Sequence, residues 1–413
     1  MVQRSARPVP CSCSILPPYL LERLAASGDP ALREIAAATR RTDRELRRRR
    51  EVRAERAAPT RAERGVVQPG LIDRLRGASV DARPDLHVVP STRAVRRSIH
   101  DARHTQELPG ALVRDEGEPA STDDSVNEAY TGLGATWDLY YEAYGRDSLD
   151  GNGLALVASV HFGRAYDNAF WDGAQMVFGD GDGTIFNSFT DCLDVIGHEL
   201  THGVTQFSAN LIYVGQSGAL NESISDVFGS LVKQRELGQT ADQADWLIGA
   251  GLFTSAVRGV ALRSMKAPGT AYDDPQLGKD PQPADMDGYV DLPHDDAHDN
   301  GGVHTNSGIT NRAFYLAASA MAGNAWEGAG RIWYDTLTGG TLAKDVDFAG
   351  FARATVASAK RLYGDGDPVV AQVEGAWRTV KVLGAGSVKT GKTRKTRKTS
   401  KKGPKKTEKP RRT

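Results

Sequence analysis

The spacing of apolar residues changes along the chain. Over about residues 91–183 apolar and polar positions alternate in short, glycine-punctuated runs, which is typical of β-strands. Beyond residue 206 apolar positions recur every three to four residues, which predicts helices. The expected fold class is therefore α+β, with a β-rich N-terminal lobe and a mainly α-helical C-terminal lobe.

Several segments have a clear period. We expect strands over residues 154–162 and 175–178 and a helix over 126–144, whereas 166–173 has the composition of a loop. An arginine-rich stretch, 40–64, predicts a solvated helix with internal ion pairs. Further helices are predicted over residues 219–235, 306–321, 328–337, 347–363 and 368–380.

One helical segment, residues 191–206, carries two histidines on the same face. Residues four apart on a helix are neighbours, so His198 and His202 can present ring nitrogens to one Zn²⁺. Glu199 lies about 100° around the helix axis, within reach of water on that metal. The segment therefore predicts two metal ligands and a base.

A second helical segment, residues 218–230, supplies a third ligand. Glu222 and Asp226 share one face of it. Glu222 completes a His₂Glu set with an open position, the pattern of a catalytic zinc, and Asp226 can accept a ring N–H from a ligating histidine.

Simpler interpretations stay open at this point. The His-Glu-x-x-His pentapeptide can arise by chance in a chain with nine histidines, and acids on an amphipathic helix often only face solvent. Asp180 and Asp182 could bind Ca²⁺, but an Asp/Gly hairpin turn is favoured because the rest of an EF-hand pattern is missing.

Charge separates the end of the chain from its middle. The formal net charge is zero, yet residues 387–413 hold thirteen Lys or Arg and the single acid Glu408. We expect this tail to be disordered and to bind anionic polymers weakly. Three cysteines provide no disulfide framework, and no apolar run reaches the ~20 residues of a membrane span. Without a recognisable signal peptide, the protein is expected to be secreted by another route or to be cytoplasmic.

Four motifs occur together, in addition to an N-terminal Ile15-Leu-Pro-Pro-Tyr-Leu20: Asn168-Ala-Phe-Trp171, His198-Glu-Leu-Thr-His202, Gly218-Ala-Leu-Asn-Glu222-Ser-Ile-Ser-Asp226 and Gly301-Gly-Val-His304-Thr-Asn-Ser-Gly308. Over about residues 95–382 the chain resembles the thermolysin family of zinc metalloendopeptidases, and its N-terminus is similar to the short propeptide of the protealysin-like branch. The resemblance implies a two-lobed fold with zinc in the cleft. It also implies a neutral endopeptidase that cuts proteins or peptides on the amino side of bulky hydrophobic residues.

The resemblance implies roles that spacing alone does not assign. The implied set is the general base Glu199, the oxyanion donors Tyr213 and His304, the orienting acid Asp299, the backbone-binding pair Asn168 and Ala169, and Arg263, which would bind the carbonyl beyond the scissile bond.

Members of the family often bind calcium through acids near the zinc helix. Asp194 and Asp245 match that set, but Lys233, Leu247 and Ala250 stand where acids are expected. Because a lysine ammonium can itself neutralise Asp194, we expect at most a degenerate calcium site.

The resemblance divides the chain into four parts. Residues 1–88 would be a propeptide, 89–205 the N-terminal catalytic lobe ending in the zinc helix, 206–385 the helical catalytic lobe, and 386–413 the basic tail. The propeptide would fold onto the catalytic domain of a monomer and inhibit it until cut between Leu75 and Arg93. A further hypothesis is that Cys11 or Cys13 binds the precursor's zinc as a thiolate.

Two other function classes remain as alternatives. One is a nucleic-acid- or anionic-polymer-binding protein with a peptidase-like fold, tethered by the tail. As a sole function it leaves the zinc, base and oxyanion set unexplained. The other is a different zinc hydrolase, such as an amidase, which would not cleave unfolded proteins at internal hydrophobic sites.

Overall fold

A five-stranded mixed sheet forms the N-terminal lobe in the computed structural model, which describes residues 13–57 and 94–384, without the side chains of residues 50–57. Strands β1, β3 and β5 are parallel, while β2 and β4 pair antiparallel at the two edges, in the order β2-β1-β3-β5-β4. The strands are β1 (Arg97–Asp101), β2 (Ala111–Asp115), β3 (Leu156–Val160), β4 (Ala169–Trp171) and β5 (Met176–Phe178).

The two predicted strands are confirmed as β3 and β5, but the loop predicted over residues 166–173 is wrong at its centre. That centre is the edge strand β4. Ala169, Phe170 and Trp171 are all buried, so the strand lacks the alternation of apolar and polar residues from which a half-buried strand is recognised. An edge strand has one unpaired row of backbone groups, and this one faces the cleft between the lobes.

Helices are the most abundant element in the rest of the described chain, and the predicted α+β class with a helical C-terminal lobe is confirmed. Helix α3 continues into a π-helical turn, Leu139–Ala143. The helices are α1 (Pro18–Ala25), α2 (Pro30–Ala57), α3 (Asp124–Asp138), α4 (Leu193–Gln206), α5 (Gly215–Glu236), α6 (Asp299–Met321), α7 (Ala329–Thr338), α8 (Phe348–Tyr363) and α9 (Pro368–Thr379). Between α5 and α6 lie two short antiparallel pairs, β6 (Leu247–Ile248) with β7 (Arg263–Ser264) and β8 (Asp273–Asp274) with β9 (Gly278–Lys279).

Helix α2 only partly matches the prediction of a solvated helix. Glu45 forms the predicted internal ion pairs with Arg48 and Arg49. Thr42, however, is only 9% exposed, and its Oγ1 accepts a hydrogen bond from Gln106 Nε2 of the N-terminal lobe at 3.0 Å. The helix therefore has one solvated and one docked face.

Helices α4 and α5 pack unusually close to each other. A Cβ added to Gly197 would lie 3.0 Å from Gly229 Cα, and one added to Gly229 would lie 2.4 Å from the backbone oxygen of Asp194. Only glycine at these two positions allows the backbones to approach this far. The close crossing brings the polar faces of the two helices together.

The proposed division into domains stays a prediction. The junction between Leu75 and Arg93 and the basic tail from residue 386 lie outside the described residues. In the two described stretches, every helix is too short or too polar to cross a bilayer.

His161 joins the start of α3 to the loop that precedes α4. Its Nδ1 lies 2.8 Å from Asp180 Oδ1 and its Nε2 lies 2.8 Å from Asp123 Oδ2. The hydrogen bond to Asp180 is the largest influence on the pKa of His161 and raises it. Partial burial lowers this pKa and Asp123 raises it, and the result is a pKa of about 9. The stabilisation that protonated His161 contributes is thus complete below its pKa of about 6.5 in the unfolded chain. It is lost as the pH rises through the pKa of His161 in the folded protein.

We predict that His161→Gln lowers the midpoint of thermal unfolding at pH 6 and that the difference from wild type shrinks between pH 6.5 and 9. Melting curves from pH 6 to 10 test this. His104→Gln is the matched control, because His104 also lies near Asp180, at 3.3 Å, but is 55% exposed. A deficit that is equal at all pH values would show that the His161 ring contributes packing and not charge.

Candidate active site

Three buried side chains from α4 and α5 converge on one point. His198 Nε2 and His202 Nε2 lie 3.1 Å apart, and Glu222 oxygens lie 3.4 Å from His198 Nε2 and 3.5 Å from His202 Nε2. Each residue is at most 1% exposed. Ligands that each lie about 2 Å from one tetrahedral ion have separations of this size, so the donor set fits zinc.

Asp226 lies behind His198 and is fully paired. Its Oδ1 is 2.8 Å from His198 Nδ1, Arg263 donates to both carboxylate oxygens at 2.8 and 2.9 Å, and Asn311 donates to Oδ2 at 2.7 Å. Burial alone would raise the pKa of Asp226, but Arg263 and His198 lower it to about 2. The ionised carboxylate holds His198 with its Nε2 toward the convergence point, and its role beside a metal ligand stays a prediction.

His202 is oriented by two residues that sequence reasoning missed. Its Nδ1 lies 2.9 Å from Asn221 Oδ1 and 3.1 Å from Ser225 Oγ. Both residues are at most 2% exposed. A signal existed, since Asn221 and Ser225 are polar residues four apart on the helix that carries Glu222 and Asp226.

Glu199 is buried beside the two histidines. One possible metal-ligand atom from each of three residues, His198, Glu199 and His202, lies within 4.8 Å of the other two. Glu199 Oε2 accepts a hydrogen bond from the backbone N–H of Trp171 at 2.9 Å. This bond fixes the carboxylate between the histidines and strand β4.

His304 approaches the same point from the start of α6. Its Nδ1 lies 2.6 Å from Asp299 Oδ1, and its backbone N–H donates to Asp299 Oδ2 at 2.9 Å. Asp299 itself has a left-handed backbone, with φ of 53°. His304 Nε2 then lies 3.5 Å from Tyr213 Oη and 3.3 Å from Glu222 Oε2, and Tyr213 donates to Glu222. The structure thus brings His304, Tyr213 and Asp299 together with the three converging side chains.

The N-terminal residues Ser14, Ile15 and Leu16 run along β4 as an added antiparallel strand. Ser14 bridges Phe170, and the Ile15 N–H donates to the Ala169 carbonyl at 3.2 Å. The Leu16 N–H donates to Asn168 Oδ1 at 3.1 Å. All three N-terminal residues are at most 6% exposed.

The carbonyls of the same strand meet two further predicted residues. The Ser14 oxygen lies 3.0 Å from His304 Nε2, and the Ile15 oxygen accepts from Arg263 Nη1 at 3.1 Å. Every residue expected to hold a substrate backbone therefore contacts this segment.

Lys233 occupies the space between the two acids named for calcium. Its Nζ lies 2.7 Å from Asp194 Oδ2, 3.1 Å from Asp245 Oδ1 and 2.8 Å from the Leu247 carbonyl. Burial would lower the pKa of Lys233, but Asp194 and Asp245 raise it above the usual value. The Lys233 ammonium thus provides the positive charge that neutralises Asp194 and Asp245. A degenerate calcium site at this place stays a prediction.

We predict that Lys233→Met lowers the free energy of unfolding by about 3–5 kcal/mol, because Asp194, 1% exposed, would keep an uncompensated buried charge. Urea unfolding of the full chain measures the loss. Lys381→Met is the control: Lys381 pairs with Asp285 and Asp287 but is 47% exposed, so its loss should cost much less than the loss of Lys233. Equal costs for the two variants would contradict a structural role for Lys233.

Comparison with known proteins gives one consistent family. Residues 87–206 match the model "Thermolysin metallopeptidase, catalytic domain", and residues 209–382 match "Thermolysin metallopeptidase, alpha-helical domain". An extracellular metalloprotease of Pectobacterium carotovorum subsp. carotovorum is 49% identical over 377 residues, covering 91% of this chain and 97% of the relative. Protease PrtS of a Photorhabdus strain is 53% identical over 304 residues, covering 74% and 80%. Among solved structures, the precursor of protealysin, a metalloproteinase from Serratia proteamaculans, matches with a TM-score of 0.74 and 48% identity, covering 90% of this chain and 100% of that one.

Proposed function

Because this chain belongs to the thermolysin family of metallopeptidases, we propose that the described form is the latent precursor of a zinc metalloendopeptidase, with its own N-terminal segment bound in the substrate cleft. Hydrolysis of peptide bonds with zinc is the activity of the family. The observation that supports a latent form is the strand Ser14–Ile15–Leu16, which lies across the candidate active site.

His198, His202 and Glu222 hold the zinc in this proposal. When bound, zinc would polarise the scissile carbonyl and lower the pKa of the attacking water. Glu199, fixed beside the two histidines by the Trp171 N–H, accepts the proton of that water and returns it to the leaving amine. Burial and the shared hydrogen bond to β4 keep this base in one position between metal and substrate.

His304 and Tyr213 stabilise the charge that develops on the substrate carbonyl. Asp299 holds the His304 ring so that Nε2 faces the cleft, and burial keeps water away from both donors. Donors that are fixed before the reaction are worth most where charge appears only in the transition state. Arg263 and Asn168 align the peptide backbone next to them.

The inhibitory segment imitates a substrate. The Ser14 carbonyl meets His304 and the next carbonyl, that of Ile15, meets Arg263. The Ser14–Ile15 peptide bond therefore lies where the bond of a substrate would lie. A segment that uses all these donors leaves none for another peptide.

Helix α2 holds the segment in place from the outside. Asp43 Oδ2 accepts from Asn168 Nδ2 at 3.1 Å, and Asp43 Oδ1 accepts from Tyr166 Oη at 2.5 Å. Thr39 Oγ1 accepts from the Asp167 N–H at 3.3 Å. Helix α2 thus binds Asn168, which also binds the Leu16 N–H. Both the helix and the strand of residues 14–16 must leave before a substrate can enter.

Ile15 also indicates the preferred substrate. Its side chain is 0% exposed and follows directly after the peptide bond at the reaction centre. An apolar pocket for the residue beyond the cut favours cleavage on the amino side of bulky hydrophobic residues. Since relatives are named extracellular metalloproteases, we propose protein substrates outside the cell.

We predict that the zinc-loaded full chain loses an N-terminal fragment with time and that Glu199→Ala does not. The variant keeps the metal ligands but lacks the general base, so it should stay intact. Intact-mass spectrometry at several protein concentrations measures the loss. Cleavage that proceeds equally in the Glu199→Ala chain would contradict self-processing by this site.

We predict that Ile15→Asp raises the initial rate at which the intact chain hydrolyses a fluorogenic peptide by about 100-fold or more, because placing a carboxylate in an apolar pocket costs several kcal/mol. Rates are taken before any mass change. Arg41→Gln, at an exposed position of the same N-terminal region, should leave the rate unchanged. An Ile15→Asp chain as inactive as wild type would refute inhibition by this strand.

A further inference from the structure

Cys13 does not take the ligand role that the sequence suggested for it. One possible ligand atom from each of Cys13, His202 and Glu222 lies within 4.8 Å of the other two, but the structure holds the Cys13 sulfur in a disulfide. A disulfide sulfur is not the thiolate that binds zinc. The hypothesis is therefore wrong for Cys13 in this form, and Cys11 lies outside the described residues.

Asp167, just before strand β4, is a buried acid at a different place. It is 1% exposed, and neither of its carboxylate oxygens has a hydrogen-bond partner among the described residues. An ionised carboxylate in such surroundings is costly unless an opposite charge compensates it.

The charges nearest to Asp167 are also acidic. Burial raises the pKa of Asp167 most, and the charge of Asp182 raises it next. The nearby backbone N–H of Asp182 lowers it and Asp43 raises it again, and the result is a pKa of about 8. Of the described residues, no lysine or arginine is among the groups that shift this pKa. The carboxyl therefore lies in a region of negative potential.

Asp182 brings a third unpartnered oxygen to the same place. Its Oδ2 is buried and likewise has no hydrogen-bond partner in the described chain. Its Oδ1 is used fully, because it accepts from three successive backbone N–H groups, those of Thr184, Ile185 and Phe186, at 2.9, 2.7 and 3.0 Å. The backbone thus fixes the Asp182 carboxylate by one oxygen and leaves the other available.

Close packing of the backbone holds the two acids beside each other. The loop of residues 179–183 carries Asp182 and lies against the segment that carries Asp167. A Cβ added to Gly179 would lie 2.0 Å from the Tyr166 carbonyl oxygen, and the Gly179 N–H donates to the Asn168 carbonyl at 3.0 Å. The loop thus contacts the residues on both sides of Asp167, so the two acids cannot separate without breaking this packing.

A shared proton would satisfy only part of this set. Protonated Asp167 can donate one hydrogen bond, to Asp182 Oδ2, which leaves its other oxygen without a partner. A divalent cation can bind all three oxygens and compensates both negative charges. Ca²⁺ suits an irregular oxygen site better than Mg²⁺, which demands an octahedral arrangement. Asp182 is only partly buried, so an ion and its water ligands can reach the pair from the loop side.

We propose that Asp167 and Asp182 together bind one Ca²⁺, which ties the loop of residues 179–183 to the segment before strand β4. The ion also stabilises the position of Asn168, which follows Asp167 directly and binds the Leu16 N–H. The site does not depend on the proposed zinc centre.

This site differs from both calcium places that the sequence suggested. Asp182 was considered there together with Asp180, but Asp180 Oδ1 lies 2.8 Å from His161 Nδ1. The structure places Asp182 next to Asp167 instead. The other candidate place, between Asp194 and Asp245, is filled by a lysine ammonium.

The test uses the full-length Glu199→Ala chain, freed of calcium on a chelating resin and then loaded with one equivalent of zinc. Equilibrium dialysis with radioactive calcium measures stoichiometry and affinity. We expect one bound calcium per chain, and a midpoint of thermal unfolding that rises with calcium concentration, because a ligand that binds only the folded state stabilises it.

Three added substitutions locate the ion. Asp167→Asn should weaken calcium binding about tenfold or more, since it removes a charged ligand. Asp182→Asn should do the same, and its Oδ1 can still accept the N–H groups of the loop. Asp245→Asn is the matched control at the other place, and it should leave the calcium affinity unchanged. Far-ultraviolet circular dichroism checks that each variant is folded, and two ligand variants keep the test decisive if one fails to fold.

Two results would overturn the proposal. One is a folded Asp167→Asn or Asp182→Asn chain that binds calcium as tightly as its parent, while Asp245→Asn loses it. The other is a parent chain that binds no calcium up to about 10 mM, which is above the dissociation constants of weak extracellular calcium modules. Both results would leave the proposed zinc site and its peptidase activity untouched.

Discussion

The close crossing of α4 and α5 is the constraint on which the site depends. Gly197 and Gly229 have no side chains to hold the two backbones apart, so a histidine pair on one helix and a carboxylate on the other reach within 3.5 Å of each other. A methyl group at Gly229 would have to move backbone atoms, because its three nearest contacts are with the main chain of Asp194 and His198, and one at Gly197 would press on Gly229 Cα and on the Val232 side chain. Ligand separations suited to one small ion follow from this packing.

Burying so many ionisable groups requires that each be paired. Asp226 lies between His198 and Arg263, and burial would otherwise leave its charge uncompensated. Arg263 also donates from its third nitrogen, Nη1, to the Ile15 carbonyl. One guanidinium therefore links the orientation of the candidate metal ligand His198 to the binding of a peptide backbone, which is a reason for an arginine, with its several fixed donors, at this position.

Strand β4 links the candidate base Glu199 to the proposed latency. Its backbone holds Glu199 through the Trp171 N–H, and its open edge accepts an extended peptide through Ala169. An unpaired edge can bind any extended segment of suitable side chains. By providing residues 14–16 itself, the chain covers the edge and fills the cleft in one step, and Asp43 of α2 closes over Asn168.

The sequence by itself determined the chemistry that depends on local spacing. Four-residue steps on two helices placed His198, His202, Glu222 and Asp226 on the right faces, and the resemblance to a family named Arg263, His304 and Tyr213. Periodicity also predicted β3, β5 and the helical lobe, but it missed β4, whose three residues are buried on both faces. Only the tertiary structure decided how these parts meet: that Asn221 and Ser225 orient His202, that Lys233 fills the space between two acids, and that Cys13 lies near His202 and Glu222. These contacts join residues far apart in the chain, and their distances result from how closely helices and strands pack, which local sequence patterns do not encode.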